Sequence, residues 1–197
     1  MTPLDTAIKN VFDFHLSLIG LIFFMPVIFF AWLIASYDTK SNGFFIQERV
    51  GKNGKLFKLY KIKTMKEITN FNTSITQEND PRITKSGRFF RKTKIDELPQ
   101  LFNVLMGHMS FVGQRPDIPG FADKLTGKEK KILSIRPGIT GPASIKYKNE
   151  ERLLMNHKDP EKYNREVIWP DKVKINLDYI YNWTLKKDLI YIFKTLI

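Results

Sequence analysis

Cysteine is absent from the 197 residues. Its absence excludes disulfide scaffolds, cysteine metal sites and thiol catalysis, and it agrees with a reducing compartment. Histidine is scarce, and His15, His108 and His157 are scattered without metal-ligand spacing. No G-x-x-x-x-G-K-[ST], G-x-G-x-x-G or G-x-S-x-G run occurs, which disfavours P-loop, dinucleotide and serine-elbow chemistry. Acidic residues are the minority, with 20 Asp and Glu against 32 Lys and Arg and a formal net charge of +12. At 43% apolar and 26% charged residues the composition is that of a folded chain. The length suits one domain, or one domain with an anchor.

The charge is unevenly placed. Lys9 stands against Asp5 and Asp13 in the first 13 residues, so the positive excess lies wholly in the remainder. A basic body beside an apolar segment points to anionic lipid, phosphorylated substrates or nucleic acid. The apolar segment is 16–37, LSLIGLIFFMPVIFFAWLIASY, 22 residues without a charge. As a straight helix it would be about 33 Å long, enough to span a hydrocarbon core. It is too long for the apolar part of a signal peptide, and it leaves no polar face for a soluble core helix. Pro26, near its middle, removes a backbone donor. Two outcomes stay open on local physics: a kinked single pass, or a helix–break–helix that enters the bilayer and returns to the same face. A spanning segment would place the basic body in the cytosol.

In the body, 43–63 reads as a β-hairpin around Lys52-Asn53-Gly54. Its second strand interleaves Lys58, Lys61 and Lys63 with apolar residues, and a solvated basic face is the plain reading. The polar stretch 69–80 reads as a loop. In 86–106, the residues Ile95, Leu98, Leu101, Phe102 and Leu105 follow helical spacing. Asp96 and Glu97 fall at the start of that helix and Gly107 ends it. The runs 111–119 (FVGQRPDIP) and 136–142 (RPGITGP) read as rigid loops, each with an arginine held extended before a proline. A short helix is expected over 120–135, charged surface helices over 150–155 and 160–169, and one longer helix over 172–197. The last alternates between core packing and a place in the membrane interface, where Lys and Trp are favoured.

What remains for chemistry is the adjacent pair Asp96-Glu97, Arg91 just before it, and the two Arg-Pro runs. Carboxylates with several arginines suit a diphosphate. Guanidinium forks bind phosphate oxygens, and a carboxylate holds Mg²⁺ against those oxygens or attacks phosphorus.

The run DPRITKSGRFFRKTKIDELPQLFNVLMGHMSFVGQRP, residues 80–116, resembles the central signature of the bacterial sugar transferases, the monotopic phosphoglycosyl transferases. The segments KNVFDFHLSLIGLIFFMPV, FFIQERVGKNGKLFKLYKIKTM, RPGITGPASI and YIYNWTLKKDLIYIFKTL agree in order. The resemblance implies an α+β monotopic membrane protein. Residues 1–37 would form a re-entrant helix broken at Met25-Pro26. Residues 38–197 would form a mainly helical cytosolic catalytic domain with a small β-hairpin and interfacial amphipathic helices, at the bacterial inner membrane. It implies transfer of a phosphosugar from a UDP-sugar to polyprenol phosphate with release of UMP, by a ping-pong route through a covalent phosphosugar on Asp96.

Glu97, with Asp96, would hold Mg²⁺. Arg91, Arg115 with Pro116, and Arg136 would bind substrate phosphates, with Lys61 and Lys63 beside them. Partners would be the UDP-sugar, polyprenol phosphate, membrane lipid and downstream glycosyltransferases, with no nucleic acid. Two departures stand out: Met25-Pro26 where relatives often carry Ser-Pro, and Pro142-Ala143-Ser144 where Trp-Ala-Gln commonly follows RPGITG. The competing classes are a membrane-anchored nucleic-acid-binding protein, served by the basic body but with no task for Asp96-Glu97, and a non-catalytic scaffold.

Overall fold

The computed structural model describes residues 1–67, 80–155, 157 and 159–196. The polar loop expected over 69–80 lies, except for Asp80, outside the described residues. Helix α1 (Pro3–Thr39) carries the apolar run, with Pro26 inside it. The helical run continues through Met25 and Pro26 without interruption, so the expected break is a proline within a helix and not a gap between two helices. A mid-helix proline removes one donor and leaves the other bonds of the ladder available. The hairpin follows as β1 (Phe44–Val50) and β2 (Leu56–Ile62). Its turn places Asn53 at φ 58° and Gly54 at φ 78°, the left-handed pair that Asn-Gly supplies at little cost.

Contacts group the chain into two compact units, Met1–His15 with Glu48–Phe57 and Val104–Ile197, and Leu16–Gln47 with Lys58–Asn103. In the second of these, Ser17, Leu21, Ile28, Ala31 and Ala35 are the buried stripe of α1, at the spacing of one helix face. Ile22, Phe23, Phe30 and Tyr37 on the other faces are 60–85% exposed. Among the described residues α1 is the one helix long and apolar enough to cross a membrane. Gly20 lets Leu101 approach, since a Cβ there would meet Leu101 Cδ1 at 3.3 Å. Thr84 caps α2 (Lys85–Thr93) by accepting from Gly87 N at 2.8 Å. Ser86 Oγ donates to Asp38 at the end of α1.

The helix expected to begin at Ile95 starts later. Lys94 takes a left-handed conformation at φ 60°, Ile95–Glu97 forms a 3₁₀ turn, and α3 covers Gln100–Leu105. Leu98, Leu101 and Phe102 donate three residues back, the tighter pattern common at helix starts. Gly107, at φ 75°, follows the end as expected. Asn103 fastens α3 to β2 by accepting from Tyr60 N and donating to Lys58 O.

In the first unit the two Arg-Pro runs are more than loops. They supply β3 (Ser110–Val112) and β4 (Gly138–Thr140), a parallel pair with Ser110 opposite Gly138 and Val112 opposite Thr140. The glycines permit it: a Cβ on Gly138 would lie 2.1 Å from Gly113 N, and one on Gly141 2.0 Å from Gly113 O. The short helix expected over 120–135 is instead two 3₁₀ segments, Ala122–Lys124 and Glu129–Ser134. Gly127 at φ 56° lies between them and ends any continuous helix. Helices α4 (Pro142–Lys146), α5 (Glu150–Met155) and α6 (Pro160–Tyr163) follow. A π turn over Asn164–Ile168 leads into α7 (Trp169–Tyr181), and α8 (Leu185–Leu196) closes the chain.

The single helix expected over 172–197 is thus two. The chain turns at Asn182–Thr184, with Lys187 N donating to Thr184 Oγ1. Val173, Tyr179 and Ile180 join Val50, Val112 and Ile132 in the core. Leu189 and Phe193 of α8 face outward. A buried polar network crosses this core. Lys9 Nζ reaches Asp188 Oδ2 at 2.5 Å, and Asp188 also accepts from Tyr179 Oη at 2.6 Å and Trp183 Nε1 at 3.0 Å.

Candidate active site

The 3₁₀ turn Ile95–Glu97 presents two adjacent carboxylates in different surroundings. Asp96 is buried, and its Oδ1 has no hydrogen-bond partner among the described residues. Burial pushes its carboxyl above the ordinary carboxylate range, and the neighbouring Glu97 charge pushes the same way. Lys61, Lys94 and Arg91 oppose them. Lys61, projecting from β2, meets Glu97 Oε1 at 3.0 Å with both side chains largely shielded. Arg91, in the last turn of α2, donates from Nε to Thr64 Oγ1 at 2.9 Å. A buried carboxylate oxygen with no partner is costly unless something else uses it.

Of the residues expected from the sequence, Asp96, Glu97, Arg91 and Lys61 therefore come together in one unit. Lys63 turns elsewhere, to Ser41 Oγ at 2.8 Å and Glu67 Oε1 at 3.0 Å. Arg115, Pro116 and Arg136 belong to the other unit. There Arg115 is exposed after the β3 strand while Pro116 is buried. The Arg136 guanidinium lies over Gly107, where a Cβ would meet Nη2 at 3.2 Å. Sequence reading missed Lys94 and Thr64. The left-handed Lys94 has no signal in its residue type, and Thr64 gains its place only through the Arg91 contact.

The donor set bears on metal binding. Among the described residues no group of three or more His, Cys, Asp or Glu surrounds a point, so an all-protein cage is not present. Mg²⁺ commonly binds through one or two carboxylates, completing its shell with water and substrate phosphate. Asp96 Oδ1 with the Glu97 carboxylate fits that pattern.

A buried carboxylate, a second acid and flanking cations make a candidate site whose charges suit a phosphorylated substrate. The model of the family described as bacterial sugar transferase matches residues 4–197, and the chain belongs to that family. It is 47% identical over 138 residues to a Bacillus subtilis (strain 168) protein named "Putative undecaprenyl-phosphate N-acetylgalactosaminyl 1-phosphate transferase", covering 64% of this chain and 77% of that protein. It is 33% identical over 204 residues to the undecaprenyl-phosphate galactose phosphotransferase of Salmonella typhimurium, covering 95% of this chain but 39% of the relative. It is 34% identical to the exopolysaccharide production protein PSS of Rhizobium leguminosarum bv. phaseoli, over 98% of this chain and 96% of that protein.

Proposed function

We propose that this protein moves a phosphosugar from a UDP-sugar to polyprenol phosphate, with UMP released. Asp96 carboxylate attacks the sugar-bearing phosphorus, the bond to the UMP oxygen breaks, and UMP leaves with that electron pair. A phosphate oxygen of polyprenol phosphate then attacks the same phosphorus. The bond to Asp96 breaks, the carboxylate is regenerated, and the product is a polyprenyl diphosphate-linked sugar. The observation that carries this reading is the buried Asp96 carboxylate with an unused oxygen beside Glu97, Lys61 and Arg91. Burial keeps water from competing for an acyl phosphate, and the raised affinity for protons makes the ionised form more nucleophilic.

Glu97 and Asp96 would hold Mg²⁺, which would supply neutralisation of the diphosphate charge. Arg91, Arg115 and Arg136 bind phosphate oxygens, a task for which the guanidinium fork is better shaped than an ammonium. Lys61 orients Glu97. The apolar, outward faces of α1 support a bilayer location. In this reading α1 is re-entrant, bent at Pro26, with the catalytic residues on the cytosolic face of the inner membrane, and α8 lies in the interface through Leu189 and Phe193. The names of the relatives support the lipid acceptor and a role early in polysaccharide assembly.

The test uses the full chain in detergent with undecaprenyl phosphate and a panel of UDP-sugars that includes UDP-N-acetylgalactosamine and UDP-galactose. UMP release with a lipid-soluble product is expected for one donor. With that donor alone, the peptide containing Asp96 gains the mass of the phosphosugar, and Asp96→Asn abolishes both results. Full turnover by Asp96→Asn would overturn the covalent route.

A further inference from the structure

The exposed Arg115 stands on a segment pinned at every neighbouring position. Gly113 N donates to Thr140 O, and Gln114 O accepts from Gly138 N at 2.7 Å. Beyond it, Asp117 O accepts from Val50 N at 2.9 Å, and Pro116 O accepts from Arg49 Nη1 at 3.2 Å. Arg49 is at the end of β1, so two distant pieces of chain hold the backbone on either side of Arg115.

The charges around this segment are unbalanced. Arg49 and Arg115 lie near enough to repel, and desolvation together with that repulsion loosens the hold of Arg49 on its proton. Lys172 of α7 is the strongest of the cations that act on the Asp117 carboxyl, ahead of Arg49 and Arg115, and Glu150 of α5 opposes them. Glu150 is already engaged by Lys172 at 2.6 Å. Asp117 thus supplies counter-charge to the part-buried Arg49 guanidinium and to the exposed Arg115 near it. Burial nevertheless lifts its carboxyl to about 6.

We infer that Arg49 and Asp117 are positioning residues: they hold the Arg115-Pro116 segment so that the Arg115 guanidinium meets a diphosphate. Arg49 fixes the backbone through Pro116 O, and Asp117 offsets the repulsion that would drive the exposed Arg115 side chain away. This inference rests on the reading of Arg115 as a donor-phosphate ligand.

The two ways Asp117 can act predict opposite results. A carboxylate acting through charge alone weakens anion binding, so its removal tightens it. A carboxylate that holds Arg115 strengthens binding, so its removal loosens it. UDP binding to the full chain in detergent, measured by calorimetry, separates them without requiring turnover. Asp117→Asn and Arg49→Lys are each expected to weaken UDP binding about tenfold at pH 7.5. Asp117→Glu should recover part of the loss.

The ratio of Kd values between Asp117→Asn and wild type should shrink toward one as pH falls below about 6, because the wild-type carboxyl is then protonated. Arg115→Ala combined with Asp117→Asn should bind no more weakly than Arg115→Ala alone, since both act through one group. Unchanged or tighter binding by Asp117→Asn and Arg49→Lys, alongside weak binding by Arg115→Ala, would overturn the positioning role alone. Unchanged binding by Arg115→Ala, or no UDP binding by wild type, would overturn the phosphate-ligand reading and the positioning role with it.

Discussion

Lys61 Nζ sits 3.0 Å from Glu97 Oε1, and through that pairing the two carboxylates of one 3₁₀ turn are made unlike. Glu97 has a cation in contact, whereas Asp96 Oδ1 is buried with no hydrogen-bond partner among the described residues. Two neighbouring acids placed in different environments are a common way to divide roles between them. Lys61 arrives from β2, so this strand supplies the cation that sets Glu97 apart from Asp96.

The first prediction concerns pH. In the proposed route attack needs the Asp96 carboxylate, whose proton is held more tightly than usual by burial and by Glu97. Turnover should fall on the acid side at a pH above the ordinary carboxylate range. Lys61→Met removes a cation that opposes the shift and should move this limb to higher pH, whereas Glu97→Gln should move it lower. A pH–rate series on the three proteins checks it, and coincident limbs would show that Asp96 does not control them.

The same shift carries a sign for stability. A carboxyl that binds its proton more tightly when folded stabilises the fold only in acid, and that contribution is lost as pH rises through the folded value. Asp96→Asn should therefore melt above wild type at pH 7 while lacking turnover. The gap should close below about pH 4, near the ordinary Asp value. Thermal denaturation in detergent at the two pH values reads it.

Divalent ions give a third. EDTA should stop turnover and Mg²⁺ restore it, with Glu97→Gln requiring more Mg²⁺ than wild type for half-maximal rate. Full turnover in EDTA would remove the metal from the reading.

A fourth concerns the buried network. Lys9 and Asp188 are 5% and 1% exposed at their side chains, so among the described residues Lys9→Met leaves the buried carboxylate with its bonds from Tyr179 and Trp183 and no cation in contact. Loss of one partner of a buried pair costs about 3–5 kcal/mol. The expected fall in melting temperature is about 2–4 °C for each kcal/mol in a chain of this size. A melting curve within a degree of wild type would mean that the network is dispensable.

The last concerns topology. Thr2 and Ser41 are exposed near the two ends of α1, and the chain has no cysteine of its own. With single cysteines at these positions, an impermeant maleimide should label neither in intact spheroplasts and both after lysis. Labelling at position 2 alone before lysis would establish a spanning helix. Pro26→Ala restores a backbone donor and should raise the fraction labelled at position 2.

Much of the site could be read from order in the chain. Asp96, Glu97 and Arg91 are within six positions of one another, and a stretch that short keeps its members together whatever surrounds it. The hairpin was equally legible, because Asn53-Gly54 encodes its own left-handed turn. Lys61 was a candidate by its alternation with apolar residues, yet its pairing with Glu97 depends on where β2 passes the 3₁₀ turn. Lys63, identical by pattern and two residues on, goes to Ser41 and Glu67 instead.

By itself the sequence determined the features whose causes are local: the uncharged run of α1, the Asn-Gly turn, the carboxylate dyad, the glycine that ends α3. Only the tertiary structure decided the features whose partners are far apart in the chain. The runs FVGQRP and RPGITG look like loops because three-residue strands have no period to detect. They become a parallel pair when Gly113, Gly138 and Gly141 let two backbones approach closely. The apolar spacing over 172–197 reads as one helix because periodicity continues across Asn182–Thr184. The chain turns there, and Asp188 is buried to meet Lys9, 179 positions away. Periodicity records which faces are apolar, but the partner of a buried charge is set by packing, and no local pattern carries that information.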